Sequence, residues 1–310
     1  MPKEKVVVIL GPTATGKSYC GIKLARRFRG EIISGDSMLV YRQMNIGTAK
    51  PTEEELHMVP HHLVNILPPD ASYSVADFQQ QASELIHQIT QRGNLPIVVG
   101  GTGLYIKALL EDYRFSSVEE NPELRRQLET YAREQGTAKL FDWLCKEDPT
   151  AAARLHPNDL RRVVRALETA LSGDRVSQEK QNELKYDVEV FGLMMDRVFL
   201  YERINLRVEQ MLEKGLEEEV RALLKAGVPT NCLSMKSLGY RQMAEYLTGQ
   251  CDFATAVDNI KKGTRHFAKR QITWYKKMPY IHWFTVDRNL NYEKIVTDMA
   301  DILEKKVKRM

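Results

Sequence analysis

Gly11-Pro12-Thr13-Ala14-Thr15-Gly16-Lys17-Ser18 meets every fixed position of the phosphate-loop pattern G-x-x-x-x-G-K-[ST]. Directly before it, Val6-Val7-Val8-Ile9-Leu10 is a β-branched run that reads as a buried parallel strand. Directly after it, Ile22, Leu24, Ala25 and Phe28 recur at helical spacing, with Gly30 past the end. Gly11 and Gly16 let successive backbone N–H groups point inward as an anion nest, and the helix starting at Lys17 adds the positive end of its dipole. Lys17 supplies a point charge, and the Ser18 hydroxyl can ligate Mg²⁺. Such a loop wants a di- or triphosphate, without saying what carries the phosphates.

Glu31-Ile32-Ile33-Ser34 reads as the next strand, reached after a helix, so a βαβ unit and a parallel sheet are expected. The strand runs into Gly35-Asp36-Ser37 at the edge where ligands sit in open α/β sheets. Asp36 is therefore expected on the same rim as Lys17, either as a solvated turn residue or as a base or metal-shell ligand. Residues 41–70, with Gly47, Pro51, Pro60, Pro68 and Pro69, read as irregular, and His61-His62 as structural or substrate-lining rather than metal-binding. A helix over 75–92 leads to the strand Leu95-Pro96-Ile97-Val98-Val99, which ends in Gly100-Gly101-Thr102-Gly103 with a helix from about Leu104. No acid stands where a Walker-B aspartate would, which counts against an ordinary ATP hydrolase.

From about Ser116 the strands vanish. Asn121-Pro122-Glu123 and His156-Pro157-Asn158-Asp159 read as helix starts, the second leading into Leu160-Arg161-Arg162-Val163-Val164-Arg165. Arg161 and Arg165 share one face, which is either solvated or a phosphate-backbone contact. The β pattern returns at Val188–Met194, and a long helix starting near Asp196-Arg197 carries Arg203 and Arg207 on one face. That face is either turned to the phosphate site or paired with Glu202 or Glu209. Ile281–Val286 reads as a late strand, and an amphipathic helix closes the chain. The predicted fold is α/β, a P-loop parallel-sheet core flanked by helices (1–115 and 188–310), with an all-helical insertion domain (116–187).

Lys261–Lys277 holds Lys261, Lys262, Arg265, Lys269, Arg270, Lys276 and Lys277 with no acid, interleaved with Phe267, Trp274 and Tyr275. Such a segment can track a nucleic-acid backbone and stack on unpaired bases, or it is a helix with aromatics inward and lysines outward; one helix can do both. The 310-residue chain carries a net charge of only +4, too little to argue for nucleic acid alone. No run of apolar residues is long enough to span a membrane, and no signal peptide is expected. Cys20, Cys145, Cys232 and Cys251 are scattered, as expected of reduced thiols in the cytoplasm without structural zinc.

These residues leave three chemistries open. In a small-molecule or nucleotide kinase, Asp36 would take a proton from a hydroxyl attacking the γ-phosphate. In a transferase whose leaving group is pyrophosphate, Asp36 would take it from an amine nucleophile. A non-catalytic, nucleotide-dependent RNA-binding switch explains the basic segment but gives Asp36 no task.

Several stretches together resemble the tRNA dimethylallyltransferases, or tRNA isopentenyl transferases. They are the loop Gly11–Ser18, Asp36-Ser37 with Tyr41, Met44-Asn45-Ile46-Gly47-Thr48-Ala49-Lys50-Pro51, Pro60-His61-His62-Leu63, Gly100-Gly101-Thr102-Gly103-Leu104-Tyr105, His156-Pro157-Asn158-Asp159, Gly239-Tyr240-Arg241-Gln242 and Ala268-Lys269-Arg270-Gln271-Ile272-Thr273-Trp274. The likeness spans nearly the whole chain, and is to the short bacterial form without the eukaryotic zinc-finger extension. It implies transfer of a dimethylallyl group from dimethylallyl pyrophosphate to N6 of adenosine 37 in the anticodon stem-loop of tRNAs reading codons that start with U. Mg²⁺ is the implied cofactor, with Ser18 as its ligand, and an ATP-binding label would be an echo of the loop motif.

By the same resemblance Asp36 is the general base, Thr102 lies near the adenine, Arg207 clamps pyrophosphate, and Lys17 belongs to the catalytic set. The implied tRNA contacts are Asp36, Ser37, Met38, Leu39, Thr102, Arg125, Arg161, Arg162, Val163, Val164, Arg165, Lys236, Ser237, Leu238, Gly239, Tyr240, Arg241, Lys269, Arg270 and Gln271. A cytoplasmic monomer is expected. The nearest rival is an adenylate isopentenyltransferase acting on free nucleotide, followed by a P-loop small-molecule kinase.

Overall fold

The computed structural model describes residues 3–115, 120–173 and 183–308. The chain forms two compact units, one made of Met1–Glu111 with Glu183–Met310, the other of Asp112–Asn182. The first unit begins with β1 (Lys5–Leu10), α1 (Lys17–Arg27), β2 (Gly30–Ser34), α2 (Glu53–Met58), β3 (His61–His62), α3 (Val75–Gln91), β4 (Leu95–Gly100) and α4 (Gly103–Leu110). The second unit holds α5 (Pro122–Gln135), α6 (Thr137–Glu147), α7 (Pro149–Ala152) and α8 (Leu160–Leu171). The first unit then resumes with β5 (Asp187–Met194), α9 (Arg197–Glu213), α10 (Leu216–Lys225), α11 (Tyr240–Leu247), α12 (Phe253–Tyr275), β6 (Ile281–Thr285) and α13 (Tyr292–Lys308).

The six strands form one sheet in the order β3-β2-β4-β1-β5-β6, every pair parallel. A parallel sheet must be covered on both faces, and the pleat shows how β1 achieves this. Val6, Val8 and Leu10 enter a core with Ile33, Val98 and residues of α3, α4, α10 and α11. Val7 and Ile9 enter the opposite core with Ile32, Ile97, Phe191 and residues of α1, α9 and α13. Two apolar faces make β1 an unbroken hydrophobic run. From β1 the chain winds first to the β2 side and later to the β5 side, so the carboxyl end of β1 is a topological switch point, where α/β sheets bind ligands.

Local signals set the helix starts. Thr52 and Glu55 form a capping box on α2, Ser74 and Asp77 one on α3. Asn121 caps α5 with Pro122 at its first position, and Asp196 and Asp252 cap α9 and α12. The second unit has its own core of Leu128, Ala132, Leu140, Leu144, Ala152, Val163, Val164 and Leu167.

Two expectations need correction. Residues 41–70 are not wholly irregular: α2 and β3 lie there, too short to show a periodicity of their own. The insertion, expected over 116–187, is bounded at Asp112 and Asn182; residue 116 itself lies outside the described residues. Residues 183–187 join the first unit because Lys185 N–H donates to Leu110 O at 2.9 Å and Asp187 opens β5.

Glu31 on β2 shows why the sheet tolerates a buried acid. It is 4% exposed, and it accepts from Arg92 at 2.7 and 3.1 Å and from Asn94 at 2.8 Å, with His62 Nε2 at 2.6 Å. Burial pushes its carboxyl up, but the bonds from Arg92, Asn94 and His62 outweigh that and hold it at about 2. A depressed native value means stability present above the ordinary glutamate range and lost as pH falls through about 2. Glu31→Gln is expected to lose about 1–3 kcal/mol at neutral pH. Urea titrations should show the gap to the parent closing as the pH is lowered toward that value, and a gap of constant size would contradict this account.

Candidate active site

The loop between β1 and α1 takes a path that ordinary side chains resist. Gly16 has φ +87° and Ala14 φ +67°. A Cβ on Gly16 would sit 2.4 Å from the Tyr292 ring, so only glycine fits there. Its backbone groups are held by side chains from several elements. Thr15 Oγ1 and Lys17 Nζ each donate to Pro12 O at 2.8 Å. Arg203 Nε on α9 donates to Ala14 O at 3.0 Å, so the Arg203 face of α9 meets the loop.

Arg207, one turn further, shares the field of Lys17 and Asp36. Burial pushes the Lys17 amine down to about 7, repulsion from Arg207 adds to this, and Asp36 pulls the other way. Burial also pushes Arg207 down, against the pull of Asp36, with Arg203 repelling it. Two crowded cations beside one carboxylate leave a surplus of positive charge, the state an incoming anion relieves.

Asp36 follows β2. Its Oδ1 accepts the Met38 N–H at 2.9 Å, and its own N–H donates to Ser34 Oγ at 3.3 Å. Thr102 stands at the N-cap position of α4, donates its N–H to Gly35 O at 3.2 Å, and accepts the Ser37 N–H on Oγ1 at 3.2 Å. The tips of β2 and β4 are in contact, since a Cβ on Gly100 would lie 2.2 Å from Gly35 O. Ser37, Met38 and Leu39 are half-buried on this rim, and Ser18 is exposed at the second position of α1. The strand beside β1 ends in Gly100-Gly101, with no acid.

The other expected contact residues divide by exposure. On α12, Lys269 and Arg270 are exposed. Gln271 is buried at 5% exposure, accepting the Thr13 N–H at 3.0 Å and donating to Gly101 O at 2.8 Å. It braces the site from inside, with both ends of its amide engaged by backbone. Near α11, Lys236 and Arg241 are exposed and Ser237 and Leu238 half-buried, while Gly239 and Tyr240 are buried. The Tyr240 hydroxyl donates to Glu219, which also accepts the N–H groups of Asn45, Ile46 and Gly47. Tyr240 therefore holds the 44–50 loop and presents no free side chain to a partner. On α8, Arg161 and Arg162 are exposed. Val163 and Val164 are core residues, so their side chains are unavailable for contact. Arg125 and Arg165 both engage the fully buried Glu168. Those two arginines stabilise the second unit, because an unpaired Glu168 there would be costly.

Sequence reasoning counted Tyr275 only among the aromatics of the basic segment and missed Glu219. Tyr275 had a signal in hindsight: Ala268, Gln271 and Tyr275 are the buried residues along the last turns of α12, spaced three and four apart. Glu219 had none, since its partners, three backbone N–H groups and the Tyr240 hydroxyl, are all distant in the chain.

A family model described as IPP transferase matches residues 39–278. A tRNA dimethylallyltransferase of Carboxydothermus hydrogenoformans is 47% identical over 95% of this chain and 97% of its own length. One from Caldanaerobacter subterraneus is 44% identical over 98% and 99%. Among solved structures, the tRNA isopentenylpyrophosphate transferase from Bacillus halodurans matches at 44% identity and TM-score 0.73, covering 99% of both chains. A eukaryotic dimethylallyltransferase described as acting on tRNA matches at 27% identity and TM-score 0.83, over 97% of this chain and 80% of that one.

The crowding of Lys17 predicts proton uptake on anion binding. An anion restores the ordinary ammonium, so binding above about pH 7 draws in a proton and weakens as pH rises. Calorimetry with inorganic pyrophosphate at about pH 8, in buffers of different ionisation heat, should show the parent taking up close to one proton more than Lys17→Arg, whose guanidinium stays charged. Equal uptake by the two proteins would mean that Lys17 does not meet the anion.

Proposed function

The chain belongs to the IPP transferase family, and from that premise we propose that it transfers a dimethylallyl group from dimethylallyl pyrophosphate to N6 of adenosine 37 in tRNAs reading codons that begin with U, releasing pyrophosphate. The observation that carries this is the rim itself. A carboxylate, Asp36, shares its field with two crowded cations, Lys17 and Arg207, beside a strand end that lacks the acid of a hydrolase. That pairing suits a leaving diphosphate on one side and a proton-losing nucleophile on the other.

As the allylic carbon–oxygen bond breaks, negative charge grows on pyrophosphate. The nest, Lys17 and the planar fork of Arg207 stabilise that charge in the transition state. A neutral adenine amine is a poor nucleophile, and Asp36 accepts its proton as the new carbon–nitrogen bond forms. One Asp36 oxygen is engaged by Met38 N–H, which orients the carboxylate and leaves the other oxygen for the amine. Thr102 contacts the purine in this reading, which its tie to Ser37 on the rim beside Asp36 supports.

Ser18 fits Mg²⁺, because its hydroxyl is exposed beside Lys17 and this ion takes most of its ligands from phosphates and water. Among the described residues no group of three or more His, Cys, Asp or Glu gathers to hold a metal. The ion would be held by Ser18 and the substrate phosphates, where it supplies positive charge to the diphosphate.

A base inside a stack cannot reach Asp36, so the adenosine flips out, at less cost in a single-stranded anticodon loop than in a duplex. The exposed cations Lys269, Arg270, Lys236, Arg241, Arg161 and Arg162 are the candidates for backbone contact. Among the described residues no helix is long and apolar enough to cross a membrane. Four free cysteines fit a reducing cytoplasm, where the enzyme works as a monomer on its tRNA.

The decisive assay offers labelled dimethylallyl pyrophosphate with tRNA, AMP or ATP separately, and γ-labelled ATP in parallel. Label in tRNA alone is expected; label in AMP or ATP would select the free-nucleotide enzyme, and γ-phosphate transfer a kinase. Asp36→Ala should keep substrate binding and slow single-turnover transfer by at least about 10²-fold. Unchanged chemistry would remove Asp36 from the mechanism. Replacing Lys269 and Arg270 by alanine should lower tRNA affinity and flatten its dependence on salt; a slope equal to the parent's would return α12 to a purely structural role.

A further inference from the structure

Two side chains of α12 join the phosphate loop to the turn after β4, and the chemistry above uses neither. The β1–β4 ladder ends at the pair Leu10 and Gly100. Past that pair the two backbones part, one into the loop and the other toward Thr102. Gln271 spans them: Oε1 accepts the Thr13 N–H at 3.0 Å and Nε2 donates to Gly101 O at 2.8 Å. Thr13 N can only donate and Gly101 O only accept, so the amide has one workable orientation. One turn on, the Tyr275 hydroxyl lies 2.8 Å from Gly101 O and 3.1 Å from Gly11 O. Burial pushes that phenol up, so it remains a donor.

The seat is tight. A Cβ on Gly101 would stand 2.4 Å from Gln271 Nε2, and one on Gly103 would stand 3.0 Å from Trp274 Cβ. A single helix thus ties the two backbones at two points.

The two backbones hold opposite ends of one reaction. The loop takes the leaving diphosphate, while the turn carries Thr102, bonded to Ser37 beside Asp36. On one carbon the bond to a pyrophosphate oxygen breaks, its electron pair leaving with pyrophosphate. On the same carbon the bond to the adenine nitrogen forms, and the amine proton passes to Asp36. The separation of loop and turn is therefore the separation of leaving group and nucleophile. We propose that Gln271 and Tyr275 are positioning residues that set this separation, and with it the approach of the amine to the allylic carbon. The proposal rests on the transfer reaction described above.

Tyr275→Phe keeps the ring and loses only the donor, and Gln271→Met keeps a side chain of similar length and loses both bonds without adding charge. Single-turnover transfer at saturating dimethylallyl pyrophosphate and tRNA is compared with the affinities for inorganic pyrophosphate and for tRNA. At saturation both variants should be slower by about 10–10²-fold, a misplacement effect, with both affinities within about threefold of the parent and the fold retained by circular dichroism. A parental rate in Tyr275→Phe overturns the proposal. So does a rate loss matched by an equal loss of pyrophosphate affinity, which would make these residues a brace of the loop alone. Were the parent itself to transfer nothing to tRNA, the proposed reaction would fail instead, and the two failures are told apart by that one control.

Discussion

The structure depends on satisfying a stretch of backbone that belongs to neither strand nor helix. An anion nest requires several N–H groups to face inward, and the remaining polar groups of that stretch must find partners elsewhere. Here Gly11 O takes Tyr275, Pro12 O takes Thr15 and Lys17, Thr13 N takes Gln271, and Ala14 O takes Arg203. Partners from α9 and α12 mean that the second half of the unit, beyond β5, completes a loop encoded in the first twenty residues. The loop and the late helices are one cooperative object.

Charge is arranged on the same principle. Burial and the nearby Arg207 push the Lys17 amine down, burial and Arg203 push Arg207 down, and Asp36 compensates both in part. Such crowding costs stability in the absence of an anion and would strengthen the hold on one bound there. A buried charge without a functional purpose looks different. Glu31 and Glu168 are surrounded by donors and saturated, so they hold the chain together without leaving a field for a ligand.

α12 shows how one helix serves two environments. Ala256, Ile260, Ala268, Gln271 and Tyr275 form its buried face, while Lys269 and Arg270 stand in solvent. The run of cations in the sequence says that a basic surface exists. Which neighbours of those cations are surface and which are brace depends on the direction each residue takes around the helix axis.

From the sequence alone, the P-loop, the parallel α/β core and the rim position of Asp36 were legible, because each rests on short-range physics: strand, glycine turn and helix in one continuous stretch. The helical character of residues 121–171 was legible for the same reason, through caps and apolar spacing. The tertiary structure alone decided that Gln271 faces inward, that Tyr240 spends its hydroxyl on Glu219, and that Arg125 and Arg165 converge on Glu168. In each case the partners are far apart in the chain or on different elements, and no local pattern encodes which buried donor will meet which buried acceptor. The fold's outline follows from periodicity, whereas the fate of a polar side chain follows from who stands opposite it once the elements have packed.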